Sequence, residues 1–90
     1  MTEDDLKKRT KKFALRILKL VAALPRTIAG RTIGNQLARS GTSVAANYRA
    51  ACRARSKVEF VSRLGVVEEE ADESAFWQEV IIEADRKSVV

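Results

Sequence analysis

The chain has no histidine, one cysteine, one proline and four glycines in 90 residues. Without histidine and with Cys52 alone, it lacks the nitrogen and sulfur ligands of a zinc or haem site and cannot form an intramolecular disulfide. A serine nucleophile would also be without its usual activating base. No apolar run approaches the ~18 residues that a membrane-spanning helix needs, because charge interrupts the hydrophobic content throughout. The opening acids Glu3, Asp4 and Asp5 do not resemble a signal peptide, so a cytoplasmic location is expected. The most informative absence is of one sign of charge. Residues 6–57 hold fourteen Lys and Arg and not one Asp or Glu. The acids are displaced to Glu3, Asp4 and Asp5 and to the stretch from Glu59 onward, which carries nine. The net charge of +5 is what remains of a strong dipole along the sequence. Such a dipole suits a polyanion, a neighbouring subunit, or internal pairing with the acidic segment.

What is present reads as helix throughout, with no strand-like alternation, no repeat and no linker. Leu6, Phe13, Ile17, Leu20 and Leu24 recur at spacings that hold one side of a 3.6-residue helix. Thr2 and Asp5 have capping-box spacing, and Pro25 disfavours helical geometry just before it, so a first helix is predicted over about 3–24. A second, over about 28–54, is carried by Ile33, Leu37, Val44, Tyr48 and Cys52, with Ser40 and Gly41 as a thin waist. Gly34 and Gly41 each cost about 1 kcal/mol in a helix interior, which argues for close approach of another backbone. Ser56 and Glu59 have capping-box spacing and start a third helix, over about 57–87, after a turn near Arg53–Arg55. Its expected core face is Phe60, Leu64, Val67, Ala71, Ala75, Ile81 and Ile82. Val66, Trp77, Val80 and Ala84 form a second apolar stripe that a three-helix unit does not need. Glu68, Asp72, Glu79 and Glu83 make an acidic edge. The expected fold is all-α, a single antiparallel up-down helical bundle over residues 1–90, small enough that association would add stability.

The stretch GNQLARSGTSVAANYRAACRARSKVEF (Gly34–Phe60), followed by EADESAFW (Glu70–Trp77), resembles a four-helix-bundle family of bacterial proteins. The family includes proteins encoded in intervening sequences of large-subunit ribosomal RNA genes, and the similarity runs from about Phe13 to Glu83. It implies an up-down-up-down bundle and association as a homo-oligomer, typically a five-fold ring. A relative, the accessory protein of diversity-generating retroelements, forms a basic barrel that binds nucleic acid and a reverse transcriptase. The family pattern continues into a fourth helix, whereas here the stretch Glu83–Val90 supplies none. The doubly apolar third helix is what an absent neighbour would leave behind.

Four groups of residues are candidates for function. Lys8, Lys12, Arg16 and Lys19 follow at helical intervals and suit sequence-independent contact with phosphates, or form a solvated helix face. Arg49, Arg53, Arg55 and Lys57 cluster near the second turn, where guanidinium groups grip phosphate oxygens or offset the helix C-terminus. Tyr48 lies on the core face and reads as structural. Leu15 and Leu18 on the first helix, with Val66, Trp77 and Val80 on the third, are expected to form an oligomer interface; packing of Trp77 on the first helix is the alternative. Arg39, Ser43 and Asn47 share a strip expected to meet Glu70 and Glu73 in a buried polar network that fixes register. A catalytic serine at Ser40 or Ser43 has little to support it, and no cofactor or small-molecule substrate is expected. The sequence therefore points to a non-enzymatic, oligomer-forming protein that binds RNA or DNA. The alternatives are an assembly module with an acidic protein partner, or a truncated family member without function.

Overall fold

The computed structural model describes residues 1–88, with side chains through Asp85. It contains three helices, α1 (Glu3–Ala22), α2 (Ile28–Cys52) and α3 (Lys57–Ser88). The helix starts follow local chemistry. Thr2 and Asp5 close a reciprocal capping box, with the Asp5 amide donating to Thr2 Oγ1 at 3.1 Å and the Thr2 amide to Asp5 Oδ2 at 3.0 Å. Thr27 caps α2 by accepting the Gly30 amide at 3.0 Å. Ser56 accepts the Glu59 amide, while the Glu59 carboxylate reaches back to the Arg55 amide. The first helix stops two residues before the expected Leu24. The Ala23 and Leu24 amides tighten onto the Leu20 and Val21 carbonyls and turn the chain toward Pro25. The end of α2 is tightened in the same way: Arg53 and Ala54 donate to Ala50 and Ala51, two residues before the expected end at 54.

The order of packing is α1 on α2 and α2 on α3. Ile17 of α1 meets Gly41, and Val21 and Leu24 meet Gly34, so the two helices run antiparallel. Ser74 of α3 meets Ser40, while Ile81 and Ile82 share a cavity with Ile33, so α3 is antiparallel to α2. The helices draw together at the waist because the side chains there are small. A β-carbon at Gly41 would lie 2.7 Å from Ile17 Cγ2. Leu37, Ser40 and Ser74 are fully buried, joined in the core by Ile17, Val44, Tyr48 and Ala51. Among the described residues no Cα of α1 comes within 8 Å of one of α3. Helix α2 is therefore the spine, and α1 and α3 flank an open groove.

That arrangement corrects the expected core of α3. Ala71, Ala75 and Ile82 are exposed, and the buried line runs through Ser74 with half-buried Glu70, Gln78 and Ile81 beside it. Only one helix packs on α3, so only a narrow strip centred on Ser74 is covered. Ala71, Ala75 and Ile82 stand at i−7, i−3 and i+4 from Gln78, which lines the groove facing α1, and they share that flank.

Candidate functional site

Each expected site residue can be placed against this frame. Lys8, Lys12, Arg16 and Lys19 are all exposed on α1, but only two of them line the same groove. Lys12 and Arg16 join Arg9 on the rim of the α1–α3 groove, whose floor is Phe13, Ile17 and Leu20. Lys8 and Lys19 lie outside it. A helix turns 100° per residue, so Lys12 and Arg16 stand about 40° and about 80° around from Lys8 while Lys19 returns to about 20°; the four keep one face, and only its edge toward α3 borders the groove.

Arg49 and Arg53 lie one turn apart on α2 and converge with Lys7 and Lys11 of α1 on a groove of about 410 Å³. Lys7 and Lys11 were not singled out in the sequence, where they belong to a run of basic residues without visible rank. Only the packing of α1 on α2 shows that they face Arg49 and Arg53. Arg53 also lines a neighbouring cavity with Arg55 and Arg63, so the basic surface continues into the α2–α3 turn. Lys57, in the first turn of α3, is exposed. Among the described residues, the acids that pair with cations are few. Lys7 meets Glu3 at 3.3 Å, Arg63 meets Glu59 at 3.1 Å, and Arg39 meets Glu70 and Glu73. None of Lys8, Lys12, Arg16, Lys19, Arg49, Arg53 and Arg55 forms a side-chain ion pair there.

The expected buried polar network takes a different form. Arg39 Nη1 donates to Glu70 Oε2 at 3.0 Å and Nη2 donates to Glu73, an arrangement that raises the guanidinium further, chiefly through the Glu73 hydrogen bond. The Arg39 side chain is 49% exposed, so this is a surface clamp between α2 and α3 and not a buried network. Asn47 turns back along its own helix to the Ser43 carbonyl at 2.9 Å, and neither Ser43 nor Asn47 reaches the carboxylates. The buried polar contact is the one between Ser74 and Ser40, whose hydroxyl oxygens are 3.0 Å apart, with the Glu70 carbonyl 2.9 Å from Ser74 Oγ. Two small polar side chains fit where helices approach most closely, and each finds a partner there. Ser40 is thus half of a helix-to-helix hydrogen bond, not a poised nucleophile.

Of the expected interface residues, Leu15 is 59% exposed, and Leu18 and Val66 also lie open. Trp77 and Val80 are half-buried. The indole N–H of Trp77 donates to Glu73 Oε2 at 3.4 Å, and its ring meets Phe76 edge-on at 4.9 Å. This puts Trp77 on the flank of α3 that faces Arg39, not against α1. The second apolar stripe and the groove-facing alanines therefore occupy opposite flanks of α3. Tyr48 is buried, and burial pushes its phenol up to about 12, helped by a hydrogen bond with Cys52. It offers no stacking surface to an unpaired base. Among the described residues no three His, Cys, Asp or Glu side chains are placed to hold a metal ion, and no helix is long and apolar enough to cross a membrane.

Comparison with known proteins agrees with this architecture. A family model described as 23S rRNA-intervening sequence protein matches residues 3–88. None of the curated proteins matches. A solved structure, a protein of unknown function from the S23 ribosomal protein family of Bacteroides thetaiotaomicron, is 32% identical with a TM-score of 0.87. The alignment covers 96% of this chain and 77% of that one. Since the match extends over nearly every residue of the three helices and the fold superposes on a solved relative, the chain belongs to the 23S rRNA-intervening sequence protein family.

Proposed function

We propose that this protein is a non-enzymatic, oligomer-forming helical bundle whose basic surface binds RNA or DNA through phosphates, with little discrimination of sequence. The observation that carries this reading is the set of seven exposed cations on α1 and around the α2–α3 turn, none in a side-chain ion pair among the described residues. Cations held at helical intervals recognise a charged backbone and not base edges. Exposed Leu15, Leu18 and Val66, together with the open α1–α3 groove, support association between copies. Association multiplies phosphate contacts, so modest affinity per protomer becomes appreciable avidity with steep salt dependence. A five-fold ring and a cytoplasmic location belong to the same proposal.

A second reading is favoured by the exposed acidic edge of α3, where Glu68, Asp72, Glu79 and Glu83 lie open. In this reading the same cations meet the acidic edge of a neighbouring copy or an acidic partner protein, and nucleic acid is irrelevant. Size-exclusion chromatography with multi-angle light scattering, at low and high salt and before and after nuclease, separates the two. The first reading expects a defined oligomer that releases co-purifying nucleic acid in high salt and keeps its mass. A nucleic-acid-free oligomer that falls apart in high salt would overturn it in favour of the second.

A further inference from the structure

The basic residues are not equivalent, because the three faces of the bundle differ in what surrounds them. Helix α3 carries acids on two sides, Glu70 and Glu73 opposite α2 and exposed Glu68, Asp72 and Glu79 along its outer side, whereas its groove with α1 is lined by apolar residues and Gln78 beside the α1 cations. The face shared by α1 and α2 is drawn from the segment of sequence that has no Asp or Glu after residue 5. On that face Lys7 and Lys11 oppose Arg49 and Arg53 across a groove whose floor is Thr42, Ala45 and Ala46. We propose that this α1–α2 groove, continued by Arg55 at the turn, is the track along which a polynucleotide backbone lies, and that the Arg9–Lys12–Arg16 rim is not. The proposal rests on the nucleic-acid reading above and assigns its location.

Three features suit the groove to phosphate. Each pair of cations is one helical turn apart, about 6 Å along its axis, so the charges form two short parallel rows. The small floor residues let a chain settle between those rows, and the two arginines present forked donors that match phosphate oxygens in pairs. Apart from its cations the groove has little with which to read bases. No aromatic side chain lines it, and the Thr42 hydroxyl is already directed to the Ala38 carbonyl at 2.7 Å. Binding there is consequently indifferent to sequence. Two carboxylates that contact cations of this region are already engaged, Glu3 by Lys7 and Glu59 by Arg63 and the Arg55 amide. Lys11, Arg49 and Arg53 form no ion pair among the described residues. The Arg9–Lys12–Arg16 rim is a poorer candidate, because its groove is floored by Phe13, Ile17 and Leu20 and closed on the α3 side by Gln78.

The test is fluorescence anisotropy with labelled single strands of about 20 nucleotides, oligouridine and oligoadenine, across a salt series on the intact chain. Lys11→Glu with Arg49→Glu is compared with Lys12→Glu with Arg16→Glu. All four positions are exposed, and both pairs lower the net charge equally, so any difference reports position and not total charge. Circular dichroism checks that each variant keeps its helices. The expected result is about a tenfold or greater loss for the first pair, on both strands alike, with the salt slope reduced by about 1.4. The second pair is expected to lose several-fold less. Equal losses, or a larger loss for the second pair, would overturn the track and leave nucleic-acid binding standing. A wild-type chain that binds neither strand would remove the parent reading and the track together. If Lys11→Glu with Arg49→Glu instead dissociates a nucleic-acid-free oligomer, the groove is a contact between protein chains and the track is wrong.

Discussion

A methyl group at Gly41 would meet Ile17 Cγ2 at 2.7 Å and Ile17 Cβ at 3.1 Å, whereas one at Gly65 would find nothing within 4 Å. Both glycines lie inside helices, so alanine is favoured by about 1 kcal/mol at either by propensity alone. At Gly41 that gain is outweighed by about 1–3 kcal/mol of overpacking, because Ile17 is buried and its branched carbon cannot swing aside. Thermal midpoints are expected in the order Gly65→Ala above wild type above Gly41→Ala. Tyr48 supplies a second residue-scale prediction. Burial raises its phenol to about 12, above the value near 10 of an unfolded chain. The folded state thus holds its proton longer, and the stability tied to it is complete below about pH 10 and lost as pH rises from there through about 12. Absorbance at 295 nm should show tyrosinate appearing together with loss of helical circular dichroism. A normal titration near pH 10 with helices intact would place the phenol in solvent.

At the scale of the element, the helix starts were legible because capping is local. Thr2 with Asp5 and Ser56 with Glu59 are patterns of three residues, and their hydrogen bonds need nothing from elsewhere in the chain. Backbone hydrogen bonds, from Thr2 and Arg55 respectively, lower the Asp5 and Glu59 carboxyls below their ordinary values. Carboxyls lowered in the folded state stabilise it fully above the ordinary range near pH 4 and lose that contribution as pH falls through their lowered values. Amide shifts of Thr2 and Arg55, followed by NMR on acidification, should inflect below pH 4 as the first turns of α1 and α3 loosen. An inflection at or above the ordinary range would mean that the caps are not formed in solution. The core face of α3 was less legible. Apolar periodicity selected Ala71, Ala75 and Ile82, and the covered strip instead follows Ser74, because burial depends on which neighbour is present and not on the helix's own pattern.

For the whole molecule, the consequence of stacking α1, α2 and α3 on a single spine is unequal flanks. Apolar side chains lie open on both sides of α3 and on the outside of α1. If Val66 belongs to a contact between copies, Val66→Glu should lower the light-scattering mass while helicity is unchanged, since Val66 is exposed within the protomer. An unchanged mass would take that stripe out of the interface. Charge is arranged at the same scale. The dipole along the sequence becomes a basic α1–α2 face and an acidic α3 edge, with Arg39 of α2 in ion pairs with Glu70 and Glu73 of α3.

By itself the sequence determined the all-helical class, the three helix starts, the family and the separation of charge. The helical class, the starts of α1 and α3 and the charge separation follow from short-range spacing, capping chemistry and composition, each complete within a few residues or a simple count, whereas the family is read from the resemblance of Gly34–Phe60 and Glu70–Trp77. Which cations share a groove, which small residues form the waist, and that Trp77 sides with Arg39 were decided by tertiary structure. The reason is geometric. A helix shows a different face every 100°, and only the neighbour packed against it selects one. Lys7 and Lys11 are ordinary members of a basic run until α2 brings Arg49 and Arg53 across from them.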